Sequence, residues 1–317
     1  MKKYMWAGAV ILLLTVFVGL FFVNRKSGDR CTEERFIFDT VCSITAYGDG
    51  AEEAVSKTFD RLEQIHSATN FYAENSEVSK INSAKAGQEI KLSRDLTEIL
   101  DAAIKIEKES QGAFDITVAT VTELWDFKNE GVVPEADKIS AALKFVGGEK
   151  LIFDKENMTV IKTADEVKID LGGVAKGYAG DVVVESLKAC GVSGAIVDLG
   201  GNITCFGTNP DNEDGKWRIG IQKPFAPTGE YETVVEVSGG AVVTGGTYQR
   251  YFEMNGKKYH HIINPDTGYP TEQSYNSVTI VTETGVYGDC LATACFVLGE
   301  ESGKALADKY GARVYYN

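Results

Sequence analysis

The chain has 317 residues, 44% of them hydrophobic and 25% charged, which is enough apolar mass to fill the core of a large domain. Its formal net charge of −14 argues against nucleic acid or anionic lipid as a main partner, because both repel such a surface unless a local basic patch intervenes. A negatively charged substrate meets the same repulsion and needs a metal ion or a few focused lysines to bind.

The N-terminus carries the clearest physical signal. Met1-Lys2-Lys3 precedes an uncharged apolar run from Tyr4 to Val23, closed by Asn24-Arg25-Lys26. That length suits a helix crossing a bilayer core of about 30 Å. Phe21-Phe22-Val23 runs into Asn-Arg-Lys with no small-x-small cleavage site, and Gly28-Asp29-Arg30-Cys31 does not read as a lipoprotein site. Residues 1–30 are therefore expected to be a cytoplasmic stub, a single transmembrane signal-anchor and a linker. Residues 31–317 follow as one extracytoplasmic domain at the cell membrane. Cleaved export would leave that domain in the same compartment.

Arg35 to Tyr47 alternates and is rich in Phe, Ile, Val and Thr, the pattern of a strand ending at Gly48-Asp49-Gly50. Apolar residues Ala54, Val55, Phe59, Leu62 and Ile65 predict a helix over 51–67. A short capped turn is expected at 76–82, and an amphipathic helix at 93–110, opened by Ser93 and Asp95. Helix is predicted at 117–125 and again at 134–145, entering at Pro134. Residues 151–153 and 159–161 read as a hairpin, and 167–171 as a strand leading into Gly172-Gly173. A helix at 176–189 precedes strands at 194–199, 202–206, 217–222, 231–237 and 241–244. Asn255-Gly256 is a strong hairpin signal joining 248–254 to 258–263. A strand at 278–281 and a helix at 287–298 complete the pattern. With no repeat or long linker, the soluble part reads as one α+β domain of mainly antiparallel sheet with packed helices.

Six cysteines invite a disulfide reading in an exported chain, but Cys42 lies in a strand pattern and Cys290 and Cys295 in a helical one. Buried free thiols fit better, and the absence of a Cys-x-x-Cys pair speaks against structural zinc.

Four polar-and-glycine clusters are not explained by propensity. Gly112 is a sufficient helix C-cap, but the cap does not account for Phe114-Asp115 just beyond it. The segment from Asp170 to Tyr178 is a strand–glycine turn–helix start. Such a turn lets backbone approach a ligand closely, and its helix N-terminus favours phosphate. It matches neither the Walker nor the dinucleotide spacing, and an ordinary turn explains it equally well. His260 and His261 fall on opposite faces of a strand, so at most one enters a site, and Pro265-Asp266-Thr267-Gly268 is a turn. Asp289 and Thr293 stand at i and i+4 on one helix face, where a carboxylate and a hydroxyl make two hard oxygen ligands suited to Mg²⁺. An isolated pair of this kind is more often a cap and a solvated hydroxyl.

Taken together and in order, these pieces resemble the ApbE family, the FAD:protein FMN transferases, across essentially the whole soluble part. The matching stretches are Phe38-Asp39-Thr40, Tyr72 with Ser76-Glu77-Val78, Gly112 to Asp115, and Leu124-Trp125-Asp126-Phe127. They continue with Asp170 to Asp181, Asp198 to Asn202, Trp217 with Gln222-Lys223-Pro224, His261 to Gly268, Ser277-Val278-Thr279 and Asp289 to Thr293. The resemblance implies Mg²⁺-dependent cleavage of the FAD pyrophosphate. FMN passes to a Thr or Ser hydroxyl of an exported or membrane flavoprotein, and AMP is released. It also implies that Asp289, Thr293 and the Gly173 carbonyl hold the metal. Phe38, Tyr72, Ala113, Phe114, Asp115, Asp170, Lys176 and Ile263 would contact FAD, and His261 would be the base. The position of Gly173 often carries Ala or Ser in relatives, a change that a carbonyl ligand tolerates; that of Phe38 often carries Met.

Residue chemistry agrees, since phosphoryl transfer needs charge neutralisation and positioning above all. The same motifs would serve a FAD pyrophosphatase that yields free FMN and AMP. A non-catalytic exported flavin-binding or haem-carrier protein is the alternative from another class. Ser193-Gly194-Ala195 is followed by Ile196, so the chain does not read as a flavinylated acceptor itself.

Overall fold

The first alternating run is two strands. Arg30–Ile37 and Thr40–Tyr47 pair antiparallel with Ile37 opposite Thr40, so Phe38-Asp39 forms a two-residue turn. Both residues have positive φ, 56° and 58°, as a type I′ hairpin turn requires. A phenylalanine rarely adopts that region, and the alternation therefore reads through the turn as a single strand. The computed structural model describes residues 30–227 and 229–317. The apolar run 4–23, and with it the expected membrane anchor, lies outside them, and among the described residues no helix is long and apolar enough to cross a membrane.

The hairpin opens a seven-stranded sheet that continues through Gly194–Leu199, Asn202–Gly207, Gly240–Gly246, Ser277–Thr282 and Arg313–Tyr316. Spatial order follows chain order and every pairing is antiparallel. Side-chain alternation divides the two faces. Ala241, Val243, Val278 and Ile280 pack in one core with the helices Arg94–Glu109 and Gly285–Leu298. Val242, Val281, Cys205 and Tyr47 face a second core under the hairpin Trp217–Gln222/Tyr231–Val237. Towards the first strands, the helices Ala51–Thr69 and Ala175–Ala189 cover Cys42, Ile44, Val197 and Leu199. The α+β expectation therefore holds for the described part.

Most predicted elements are present within a few residues of their expected bounds. Ser76 caps Glu77–Ser83 through Ser79, and Ser93 caps Arg94–Glu109 through Leu96. Residues 167–171 are the main exception, because they form no strand. Val167, Ile169 and Leu171 are fully buried, but the backbone finds its partners elsewhere. The Asn82 amide donates to the Ile169 carbonyl (3.0 Å) and accepts from its N–H (2.8 Å), and the Asp170 N–H donates to Ile116 (2.9 Å). The helix expected from Pro134 starts at Ala136 and ends in a 3₁₀ turn at Leu143–Phe145. The hairpin Leu151–Asp154/Thr159–Lys162 gains an unanticipated third strand, Glu89–Lys91. All six cysteines are free; Cys42, Cys205, Cys290 and Cys295 are buried, whereas Cys190 is exposed.

Candidate active site

The site forms where the helices Ala175–Ala189 and Gly285–Leu298 cross. A Cβ on Gly177 would stand 2.1 Å from the Gly285 carbonyl oxygen, and one on Gly285 2.5 Å from that of Gly177, so only glycine permits this approach. Neither helix has a side-chain cap at its own N-cap residue, Val174 or Thr284. Each borrows one from the other. The Gly177 N–H donates to Asp289 Oδ2 (3.0 Å), while Gly285 and Val286 donate to the two oxygens of Asp181 (2.7 and 2.9 Å). First-turn amides left open by the helix are thus satisfied, and the positive helix ends face carboxylates.

Asp289 is buried, and burial pushes its carboxyl above the usual carboxylate range. Lys176 and the Gly177 amide pull it back in part. The Asn202 amide is near enough to help electrostatically, but both its polar atoms are buried without a hydrogen-bond partner. A cation beside Asp289 would relieve the burial penalty on the charged form. Burial likewise pushes Asp181 up to about 6 despite its two amides, with Glu185 and Asp289 adding repulsion.

Thr293 lies one turn beyond Asp289. A Cβ on Gly173 would meet Phe114 Cε2 at 3.2 Å and Thr293 Oγ1 at 3.3 Å, so the glycine turn, the aromatic ring and the hydroxyl converge. Asp170 locks this turn by accepting from the Gly172 N–H (2.9 Å). Burial raises the Asp170 carboxyl, opposed by that amide and by Arg250. Among the described residues no group of three or more His, Cys, Asp or Glu is placed to hold a metal. A metal held by the set the sequence resemblance implies would have one carboxylate, one hydroxyl and one carbonyl, all-oxygen donors whose chemistry fits Mg²⁺.

His261 Nδ1 lies 3.1 Å from the Arg250 carbonyl, which also accepts from the His261 N–H at 3.1 Å. A carbonyl only accepts, so Nδ1 carries the proton and Nε2 is left as the base. The His261 side chain keeps some exposed surface, but the desolvation of its ring among its neighbours, then the Arg250 charge, brings this imidazole down to about 4, with His260 and Lys176 contributing. Lys176, half-buried, thus acts electrostatically on both Asp289 and His261. His260 points elsewhere, with Nε2 2.9 Å from the Thr271 carbonyl and its ring edge-on to Phe296. A cavity of about 720 Å³ is lined by His260 but not by His261, Asp289 or Thr293, so it lies apart from this chemistry.

The remaining expected residues divide into two groups. Phe38 is half-buried with its ring edge-on to His66 (5.0 Å between centroids), and Tyr72 is 48% exposed with Lys128 Nζ 3.7 Å from its ring centroid. Asp115 is buried and engaged by the Thr117 N–H (2.7 Å) and hydroxyl (2.6 Å); that hydroxyl in turn accepts from the Gly147 N–H. Burial raises the Asp115 carboxyl. Ala113 is half-buried beside it, and Phe114 is buried. Ile263 sits in a small core with Val121, Trp125 and Ile139, so its side chain is a packing group. Trp125 Nε1 donates to the Gly268 carbonyl (3.0 Å) and pins the turn that follows His261. Arg250 was not singled out by any motif, and an arginine in a loop between strands carries no local signal of a site.

The buried Asp289 carboxylate, the Thr293 hydroxyl, the Gly173 turn, Lys176 and His261 thus lie around the crossing of two helices, within a seven-stranded antiparallel α+β fold. The ApbE family profile matches residues 38–316. The chain is 33% identical over 281 residues to the FAD:protein FMN transferase of Haemophilus influenzae, covering 86% of this chain and 80% of that protein. Among solved structures, the ApbE protein of Thermotoga maritima superposes with a TM-score of 0.82 at 30% identity, over 90% of this chain and 94% of that one. The flavin transferase ApbE of Vibrio cholerae gives 0.80 at 28% identity, over 91% and 93%. This chain belongs to the ApbE family.

Proposed function

We propose that the chain is an FAD:protein FMN transferase. It cleaves the FAD pyrophosphate with Mg²⁺, attaches FMN through a phosphoester to a Thr or Ser of an exported or membrane flavoprotein, and releases AMP. The observation that carries this reading is the meeting of the Gly173 turn with Thr293, one helical turn from an Asp289 carboxylate fixed by Gly177, with Lys176 acting on both Asp289 and His261. The names of the relatives support the transfer of FMN from FAD to protein.

When bound by Asp289, Thr293 and the Gly173 carbonyl, Mg²⁺ supplies charge neutralisation at the diphosphate. The chain's own residues do the rest. Gly177 fixes the Asp289 carboxylate, and the Asp170-locked turn presents the Gly173 backbone. Lys176 offers positive charge to the phosphates from the first turn of a helix, whose N-terminus favours anions. His261 Nε2 takes the proton of the acceptor hydroxyl, its ring held by the Arg250 carbonyl. Phe38 and Tyr72 offer aromatic surface for flat rings. The test is AMP release and acceptor labelling from FAD with and without Mg²⁺, in the parent chain and in Asp289→Asn.

A further inference from the structure

Arg250 lies in the bend between the strands Gly240–Gly246 and Tyr251–Met254, and its two ends do different things. Its carbonyl holds His261 twice, through Nδ1–H and through the backbone N–H. Its guanidinium reaches across to Asp39 Oδ2 on the strained Phe38-Asp39 turn, at 4.0 Å, with the two side chains 46% and 57% exposed. That is a loose pair. Arg218, by comparison, is clamped by Asp214 at 2.8 Å and Glu236 at 3.0 Å. The Arg250 charge is also felt by Tyr72, Asp170 and His261, which come from three further segments of the site. An exposed, lightly held cation at the meeting point of these segments is an unusual asset on a chain of net charge −14.

We propose that Arg250 is a second cation of the diphosphate site, exchanging Asp39 for non-bridging phosphate oxygens of FAD when the substrate binds. The proposal rests on the reading of this centre as one that cleaves FAD. A guanidinium presents paired N–H donors that match a phosphate in a way an ammonium does not. In the step itself, the acceptor hydroxyl oxygen bonds to the FMN phosphorus and its proton passes to His261 Nε2. The P–O bond to the AMP phosphate breaks, and the electron pair leaves on AMP. The Arg250 guanidinium offsets the negative charge on the phosphate oxygens. The same residue therefore links the base, through its carbonyl, to the electrophile, through its side chain. Asp39 acts as the resident anion that FAD must displace.

The test uses the full chain with FAD, saturating Mg²⁺ and an exported flavoprotein bearing a candidate acceptor Thr or Ser, reading AMP release. Arg250→Ala is expected to raise the KM for FAD by about tenfold or more, and Arg250→Lys to recover only part of it. Asp39→Asn is expected to do the opposite and lower KM, because the competing anion is gone. Arg250, His260 and Lys176 are the charged groups acting on His261. Removing the first of them raises the imidazole pKa, so the acid limb of kcat/KM moves to higher pH in Arg250→Ala. If the pair were only a strap across the site, Arg250→Ala and Asp39→Asn would both impair activity and KM would rise in both; that result overturns the proposal. Parent activity with an unchanged KM in Arg250→Ala overturns the Arg250 assignment alone. No AMP from the parent chain overturns the FAD reading beneath it. Thermal melts of each variant separate these effects from loss of fold.

Discussion

Asp181 and Asp289 exchange helix caps. Asp181 accepts from Gly285 and Val286 at the head of the helix that carries Asp289, and Asp289 accepts from Gly177 at the head of the helix that carries Asp181. The Asp289 carboxylate is thereby fixed by a partner that need not touch a ligand. It also follows that the crossing of the two helices and the aim of Asp289 are one structural variable.

Asp181→Ala is expected to lower stability by about 1–2 kcal/mol, as loss of a helix cap does, and to raise the Mg²⁺ concentration needed for half-maximal AMP release. Asp181→Asn keeps one acceptor and recovers part of both. The pH dependence has a defined sign. The folded carboxyl sits at about 6, above its unfolded value. Its contribution to stability is therefore present below the unfolded value and lost as pH rises through about 6. Denaturant melts across that window are expected to show a shallower decline for Asp181→Asn than for the parent. An identical decline would remove Asp181 from the account.

Gly173→Ala and Gly177→Ala are expected to diverge sharply. At Gly173 the new methyl meets a ring edge at 3.2 Å and a hydroxyl at 3.3 Å, contacts that a shift of a few tenths of an ångström relieves. Activity is expected to survive within a few-fold, with less than about 1 kcal/mol lost. At Gly177 the methyl would stand 2.1 Å from a backbone oxygen and 2.8 Å from Asp289 Cβ. The helices must part, at about 3 kcal/mol or more, and AMP release is expected to collapse with them. Equal behaviour of the two variants would count against the crossing as the device that aims Asp289.

His261→Ala is expected to lower FMN transfer by about 100-fold or more, within the usual range for a general base. Because burial and Arg250 depress the imidazole to about 4, the neutral base persists as pH falls below 6.5. With Mg²⁺ saturating, the acid limb of kcat/KM is expected near 4, with activity lost as pH drops through it. A limb near 6.5 would mean that His261 is solvated and not held as described.

The helices and most strands were legible in the sequence because their apolar periods and caps are local, as at Ser76 and Ser93. Asp289 and Thr293 were legible as an i, i+4 pair, whereas the strand expected over 258–263 ends at His260, so His261 parts from His260 in the bend beyond it rather than by alternation. The Phe38-Asp39 turn was hidden because Phe gives no left-handed signal and a single Asp, though tolerant of that region, gives only a weak one. Residues 167–171 misled because burial alone mimics a strand while Asn82, 87 residues before Ile169, takes the backbone bonds. The capping by Asp181 and the contacts of Arg250 with Asp39 and His261 are long-range. No spacing in the chain announces them. Asp115 and Ile263 entered through family motifs, and the structure finds the first in a buried Thr117 network and the second in a core.

The most direct test of the account is mass spectrometry of a purified exported flavoprotein bearing a candidate Thr or Ser, after incubation with this chain, FAD and Mg²⁺. The account predicts one FMN added through that hydroxyl, one AMP released per FMN attached, and neither product with chelator or with Asp289→Asn. Free FMN and AMP with an unlabelled acceptor would contradict transfer, and labelling that survives both chelation and Asp289→Asn would contradict the metal centre.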